Sequence, residues 1–145
     1  MRTPEILLVD DNPADTDLIA EVWARNGRPS NNHAITDGVE AIAFLRREQK
    51  YAHALVPDFV ILDLNLPKKD GRAVLAEVKT DTFLRKIPIA IFSTSEAQQD
   101  IVRSYELGAN CYVSKPGNLQ GFISAVTLIG DFWFGLARLP REEKG

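Results

Sequence analysis

The sequence has 145 residues, with 17 basic and 20 acidic side chains and a net charge of -3. This length suits one globular domain whose core needs no covalent staples. No long basic block, N-terminal signal or apolar run of membrane-spanning length is evident, so we expect a cytoplasmic protein that binds neither nucleic acid nor a membrane. Cys111 is the only cysteine, which excludes an intramolecular disulfide and a cysteine-ligated zinc site.

Short apolar runs alternate with amphipathic stretches along the chain. The predicted elements are strands at 6–9, 33–36, 59–62, 87–92 and 111–113, and helices at 14–25, 38–48, 71–79, 96–107 and 119–129. Continuous apolar runs are typical of strands buried on both faces, and strand and helix alternation favours a parallel sheet. We therefore predict an α/β fold, a doubly wound five-stranded parallel sheet with helices on both faces. We expect this domain to span residues 1–130, and residues 131–145 to extend the last helix into a charged tail.

Polar side chains follow four of the predicted strands at the point where each strand ends. These residues are Asp10, Asp11, Asp63, Ser93, Thr94 and Lys115. Because the carboxyl ends of parallel strands emerge at one edge of the sheet, we expect the carboxylates, hydroxyls and ammonium to converge there.

The chemistry of such a cluster can be derived from its charges. Two carboxylates about 4 Å apart repel by roughly 4 kcal/mol at an effective dielectric constant near 20, so the three aspartates should raise one another's pKa or recruit a cation. Oxygen ligands without histidine or cysteine favour Mg²⁺. Lys115 and a hydroxyl of Ser93 or Thr94 would contact further oxygens of a phosphoryl group. Asp63 would then be the nucleophile.

This arrangement resembles the receiver domains of two-component response regulators over nearly the whole chain. That family has an acidic pair after the first strand, a phosphoacceptor aspartate after the third, a Ser or Thr after the fourth and a Lys-Pro pair after the fifth. The matching residues here are Asp10, Asp11, Asp63, Ser93, Lys115 and Pro116. The spacings from Asp63, 30 residues to Ser93 and 52 to Lys115, are similar to those of chemotaxis-type receivers.

The resemblance implies a flavodoxin-like receiver that is a phosphoacceptor and not a turnover enzyme, although it assists its own phosphorylation and dephosphorylation. The implied Mg²⁺ ligands are Asp10, Asp11, Asp63 and the main-chain carbonyl of Asn65. The implied phosphate contacts are Ser93, Thr94 and Lys115. Ser93 and Tyr112 would act as the switch, in which the hydroxyl moves towards the phosphoryl group and the aromatic ring turns.

Three stretches, LDLNLPKKDGR, LGANCYVSKP and DFWF, are similar to those of small single-domain regulators paired with bacterial and cyanobacterial phytochrome kinases. This narrower resemblance implies a sensor histidine kinase, such as a phytochrome, as the phosphoryl donor. No output domain or DNA-reading motif follows the receiver, so we expect the signal to pass to another protein, which the sequence does not identify.

Two other functions remain open at this point. An aspartyl-phosphate phosphohydrolase could use a similar sheet, but its D-x-D-x-[TV] signature is absent from both candidate strand ends. A constitutive interaction module with a vestigial site is the other alternative. Taken singly, Asp63, Asp10 or Ser93 would more often be a helix cap or turn residue, and an aromatic such as Tyr112 more often packs in a core. The coincidence of residue type, order and strand-end position favours the phosphoacceptor.

The end of the chain predicts a homodimer. Apolar residues continue at helical spacing beyond the point where the fifth helix of a receiver ends, and the aromatic residues Phe132, Trp133 and Phe134 lie in this extension. At least one of them should remain outside the domain, and an exposed apolar patch is typical of an interface. The alternative is that the segment folds back over its own domain.

Overall fold

The structure, a computed structural model, describes residues 3–140. Its centre is one parallel sheet of five strands in the order β2-β1-β3-β4-β5. The strands are β1 Glu5–Val9, β2 Asn31–Ile35, β3 Phe59–Leu62, β4 Ile89–Ser93 and β5 Cys111–Ser114. The strand order reverses direction at β1, which places a topological switch point between β1 and β3. The predicted fold class is confirmed.

Five α-helices, one after each strand, cover both faces of the sheet. They are α1 Pro13–Arg25, α2 Gly38–Leu45, α3 Gly71–Thr80, α4 Gln98–Glu106 and α5 Leu119–Gly130. Alternate strand residues divide into two cores. Ile6 and Leu8 of β1 pack with buried residues of α1 and α5, whereas Leu7 and Val9 pack with those of α2 and α3. The sheet is therefore buried on both faces, as its continuous apolar runs predict.

The predicted boundaries of the elements agree with the structure to within about two residues at most ends. The third strand is placed correctly at both ends. Two of the differences have a local cause. The second helix ends three residues early, at Leu45, because Arg47 has a positive φ of 54° that no α-helix accommodates. The second strand begins at Asn31, two residues earlier than predicted, where its main-chain N–H donates to Pro4.

The chain beyond α5 continues as a π-helical segment, Asp131–Leu136, and the wider turn changes which side chains face the sheet. The ring of Trp133 stacks on Phe59 at 4.8 Å, and Phe134 meets Trp23 edge to face at 4.8 Å. Two of the three residues predicted to form a dimer interface, Trp133 and Phe134, thus pack partly buried on the core of their own chain. Only Phe132 projects outward, with 49% of its surface exposed.

The expectation that no apolar stretch reaches the length of a membrane span needs correction. Residues Leu119–Leu136 form an 18-residue helical stretch that meets this criterion by length and composition alone. Phe122, Val126 and Ile129 of this stretch are buried in the core beside α1, so contacts within the domain account for much of its apolar character. The predicted charged tail at 141–145 lies outside the described residues.

A glycine at the start of α3 lets the helix approach the end of β3. A Cβ atom on Gly71 would overlap the main-chain carbonyl oxygen of Asp63 and would lie 2.7 Å from Cα of Leu64. Both neighbours are backbone, and the Gly71 N–H donates to the Leu64 carbonyl at 2.9 Å. The position of Asp63 therefore depends on the absence of a side chain at residue 71.

We predict that Gly71→Ala lowers the free energy of unfolding by about 1–3 kcal/mol, because backbone atoms must move to accept the methyl group. Gly117→Ala is the matched control, since a Cβ atom there meets nothing within 4 Å and Gly117 has no positive φ. Urea unfolding of both variants measures the difference. Equal stability of the two variants would contradict the proposed close packing.

Candidate functional site

The carboxyl ends of the two central strands bring two aspartates together. β1 and β3 pair in register so that Val9 lies opposite Leu62, and Asp10 and Asp63 follow them directly. The Asp63 N–H donates to the Val9 carbonyl at 2.9 Å, which extends the ladder by one residue. The polar residues therefore begin where the apolar strands stop, at the edge next to the topological switch point.

Three carboxylates form an acidic cluster at this edge. One oxygen each of Asp10, Asp11 and Asp63 lies within 4.8 Å of the other two. Asp10 and Asp63 are buried, and Asp11 is exposed at the mouth of the cluster. Hard oxygen donors this close together are the ligand type that divalent cations such as Mg²⁺ and Mn²⁺ prefer. The donor set thus fits a divalent metal ion, as the sequence analysis expected.

Local turns orient two of these carboxylates. Oδ1 of Asp10 accepts the N–H of Asn12 at 3.0 Å, and Oδ1 of Asp63 accepts the N–H of Asn65 at 3.2 Å. Each aspartate thus bonds to the backbone two residues on, which is the usual geometry of an Asx turn. The second oxygen of each carboxylate faces Lys115. Asn65 lies next to the site as predicted, with an exposed side chain.

Lys115 is the counter-charge of the cluster. Its Nζ lies 2.6 Å from Asp10 Oδ2, 2.9 Å from Asp15 Oδ2 and 3.3 Å from Asp63 Oδ2, and its side chain is 6% exposed. Burial disfavours the charged form, but hydrogen bonds to Asp10 and Asp15 outweigh this effect and raise the pKa of Lys115 above its ordinary value of 10.5. The ammonium is therefore charged at any physiological pH.

The pKa of Asp10 is raised, as expected for a carboxylate in a crowded acidic cluster. Burial raises the pKa of Asp10 above its ordinary value of 3.8, the hydrogen bond from Lys115 opposes the rise, and repulsion from Asp63 adds to it. Desolvation is thus a larger cause than the like charge on which the sequence analysis relied.

The two predicted hydroxyls differ in their surroundings. Ser93 ends β4 and is completely buried, whereas Thr94 is exposed. The main-chain carbonyl of Ser93 accepts the Lys115 N–H at 2.7 Å, so β4 and β5 hold these two residues side by side. The arrangement agrees better with Ser93 as the hydroxyl at the site, and Thr94 makes no side-chain hydrogen bond among the described residues.

Ser95 hydrogen-bonds to Ser93, Tyr112 and Asp100, a role that the sequence did not predict. Its N–H lies 3.4 Å from Ser93 Oγ, and its carbonyl accepts the hydroxyl of Tyr112 at 2.9 Å. Its own hydroxyl donates to Asp100 of α4 at 2.6 Å. The proposed switch residues Ser93 and Tyr112 are thus joined through one residue of the β4–α4 loop.

An ion pair continues this network to α3. Nη2 of Arg72 lies 2.7 Å from Asp100, and Nη1 of the same guanidinium lies 3.1 Å from Asp70, the residue that caps α3. The first turns of α3 and α4 are therefore bridged by an ion pair.

Asp15 is a second residue that the sequence analysis missed. It lies in the first turn of α1, where an acidic residue is ordinarily explained by the helix dipole. A usable signal was present, because α1 begins directly after the Asp10–Asp11 pair and its first turn must overhang the strand ends. Which side of that turn faces Lys115 becomes visible only in the folded chain.

Comparison with known proteins agrees with this geometry. Residues 6–127 match the family model for the response regulator receiver domain. The chain is 42% identical over 135 residues to response regulator Rcp1 of Synechocystis, an alignment that covers 93% of this chain and 92% of Rcp1. It is also 36% identical over 135 residues to the probable methanogenesis regulatory protein FilR2 of Methanothrix harundinacea, covering 93% of this chain and 86% of FilR2.

Two solved structures are similar over almost their full length. The phosphorylated cyanobacterial phytochrome response regulator RcpA has a TM-score of 0.93 and 47% identity, covering 97% of this chain and 100% of RcpA. The Mn²⁺-bound form of Rcp1 has a TM-score of 0.92 and 40% identity, covering 95% of this chain and 99% of Rcp1.

The hydrogen bonds and ion pair of Asp100 should make the stability of the fold depend on pH. The hydrogen bond from Ser95 and then that from Arg72 hold the pKa of Asp100 below its ordinary value of 3.8. A depressed folded-state pKa stabilises the fold above the unfolded-state pKa, and this contribution is lost as the pH falls through the folded-state pKa. We therefore predict that Asp100→Asn melts at a lower temperature than the parent at pH 7, and that the difference shrinks below pH 3.8.

Thermal unfolding followed by circular dichroism between neutral and acid pH measures this dependence. Asp17→Asn is the matched control, because Asp17 carries the same charge on an exposed position of α1. A melting difference for Asp100→Asn that stays constant across the pH range would show that the charge of the bridge does not stabilise the fold.

Proposed function

The chain belongs to the response regulator receiver family, and we propose that it accepts a phosphoryl group on Asp63 from the phosphohistidine of a sensor histidine kinase. The observation that carries the proposal is the position of Asp63. Its carboxylate lies beside two further acidic side chains and 3.3 Å from the Lys115 ammonium. A carboxylate so placed has a site for a metal ion and a charge partner for the incoming phosphoryl oxygens.

In the proposed reaction a carboxylate oxygen of Asp63 forms a bond to phosphorus while the bond from phosphorus to the histidine nitrogen breaks. The imidazole leaves with the bonding electron pair, and the product is an acyl phosphate. Lys115 donates to a phosphoryl oxygen and stabilises the charge on the transferring group. Mg²⁺ held by Asp10, Asp11, Asp63 and the Asn65 carbonyl would neutralise further charge on that group.

We infer that the output is a changed surface at α4. A phosphoryl oxygen that attracts the Ser93 hydroxyl would move the loop that contains Ser95. That loop holds the Tyr112 hydroxyl and Asp100 of α4, so its movement reaches both the switch aromatic and the adjoining helix. Thr94 is exposed and close in sequence, and its hydroxyl is the second candidate for contact with the phosphate.

The kinase proposed as the donor is of the phytochrome class. The support is the similarity to Rcp1 and RcpA, of which RcpA is a cyanobacterial phytochrome response regulator. The transferred phosphate would be lost by hydrolysis in the same site, so the protein is a phosphoacceptor that cycles between two states. The phosphohydrolase alternative has no specific observation in its favour.

We also propose a homodimer that uses the outward face of the C-terminal helical stretch. Leu128, Phe132 and Leu136 recur every four residues and are 67%, 49% and 75% exposed. Only 22% of the residues of the stretch Leu119–Leu136 are buried within the domain, so its exposed apolar face is available to a second copy. Trp133 and Phe134 contribute indirectly, because their packing on the core orients Phe132.

We predict that the parent chain is labelled once by a small acyl-phosphate donor in the presence of Mg²⁺, and that Asp63→Asn is not labelled. Chelation of the metal should abolish the labelling of the parent, since the crowded carboxylates would repel the anionic donor. Mass spectrometry of the intact protein measures the added phosphoryl group, and thermal unfolding verifies that the variant folds.

Stoichiometric labelling of Asp63→Asn would exclude Asp63 as the acceptor. Continuous release of phosphate from small phosphate esters would favour the phosphohydrolase, and an unlabelled parent would favour the constitutive interaction module.

For the dimer, we predict that the full chain sediments as a dimer at micromolar concentration and that Phe132→Ser with Leu136→Ser sediments as a monomer. Phe83→Ser is the matched control, because Phe83 is 56% exposed at a different surface, next to the 3₁₀ turn Leu84–Lys86. A monomeric parent, or a double variant as dimeric as the parent, would show that this face does not associate.

A further inference from the structure

Asp15 is a fourth carboxylate that contacts the ammonium of the site without belonging to the metal donor set. Its Oδ2 lies 2.9 Å from Lys115 Nζ. The acidic cluster whose oxygens lie within 4.8 Å of one another comprises Asp10, Asp11 and Asp63, and Asp15 is not in it. Its side chain is 25% exposed, compared with 7% for Asp10 and 10% for Asp63.

The number of donors on Lys115 limits what the site can hold. An ammonium group has three N–H donors, and the three carboxylates around Lys115 accept one each. The lysine side chain is 6% exposed, which leaves little access for a further partner from solvent. A phosphoryl oxygen that approaches Lys115 must therefore replace one of the carboxylates.

The three carboxylates are not equally easy to release. Asp63 bears the phosphoryl group in the proposed product, so it stays at the site and is not the carboxylate that is released. Asp10 is deeply buried and accepts a second hydrogen bond from the Asn12 N–H, so its release would leave a buried charge with fewer partners. Asp15 is the most exposed of the three, and its side chain accepts hydrogen bonds from no other described residue, so water can solvate it after release.

We propose that Asp15 is a competing anion, a positioning residue that occupies the Lys115 donor which a phosphoryl oxygen on Asp63 takes. This inference rests on the proposed function. Phosphorylation then exchanges one anion for another on the same ammonium, and Asp15 turns towards solvent. The exchange weakens the hold of the site on the phosphoryl group and favours the unphosphorylated state.

The test uses fluoroberyllate, a tetrahedral anion that bonds to a carboxylate oxygen and imitates a phosphoryl group. Its affinity is measured by calorimetric titration of the full chain with Mg²⁺ present. We expect Asp15→Asn to bind about fivefold more tightly than the parent, the upper range for loss of a partly exposed ion pair. Asp17→Asn removes the same charge from an exposed position of the same helix and should bind like the parent.

A second substitution distinguishes an Asp15 that competes with the phosphoryl group for Lys115 from one that holds Lys115 in place. Asp15→Ala removes the hydrogen bond as well as the charge, so a competitor again predicts tighter binding, whereas a residue that merely braces Lys115 predicts weaker binding. Thermal unfolding of each variant verifies that it folds. Unchanged or weaker affinity in both Asp15 variants would overturn the inference, as would an equal gain in Asp17→Asn.

The outcome also separates this inference from the proposed function. If the parent does not bind fluoroberyllate, or if Asp63→Asn binds it equally well, the proposed function fails and the inference fails with it. If the parent binds through Asp63 but the Asp15 variants do not gain affinity, only the role of Asp15 is wrong.

Discussion

One buried ammonium makes the carboxyl edge of this sheet possible. The parallel register of β1 and β3 places Asp10 and Asp63 side by side. Burial raises the pKa of Asp10 and so disfavours its charged form. Lys115 contacts both, and the Lys115 N–H is itself held by the Ser93 carbonyl of β4. Four strands therefore meet at one group of charges. The apolar strands fix where the charges lie, and the lysine makes their proximity tolerable before any metal ion binds.

The sequence is informative about this edge because strand ends are easy to recognise in a parallel sheet. Each apolar run stops at a polar residue, and the sheet topology brings those polar residues together. Residue type and order along the chain were therefore enough to predict that Asp63 and Lys115 belong to the site. Asp15 was missed because contact with Lys115 depends on the rotation of α1 about its axis, which no strand-end pattern encodes. Ser95 was missed for a related reason, since its contacts with Ser93 and Tyr112 use main-chain groups that are the same in every residue.

The orientation of the C-terminal aromatic residues could not be predicted from helical spacing, for a different reason. A regular helix would distribute Phe132, Trp133 and Phe134 around its axis at 100° steps, which suggested an aromatic interface. The π-helical segment widens the turn, and both Trp133 and Phe134 come to lie against Phe59 of β3. The packing of these two partly buried rings against the core offsets the cost of a poorer helical geometry. The segment therefore completes the domain as well as presenting Phe132 to solvent.

A receiver needs only a small energetic bias to transmit its state, and the hydrogen bonds around Ser95 show how a local change could reach the surface. Shifting a two-state equilibrium from 1:99 to 99:1 takes about 5.5 kcal/mol of differential interaction. Displacement of the Ser95 carbonyl would release the Tyr112 hydroxyl, and the Tyr112 N–H already donates to the hydroxyl of Tyr105 at 3.1 Å. Tyr105 lies on α4 with 49% of its surface exposed. Two hydrogen-bonded residues, Ser95 and Tyr112, thus connect the buried Ser93 with the exposed Tyr105. A movement of the loop that contains Ser95 can therefore alter the surface offered to a partner without any rearrangement of the sheet.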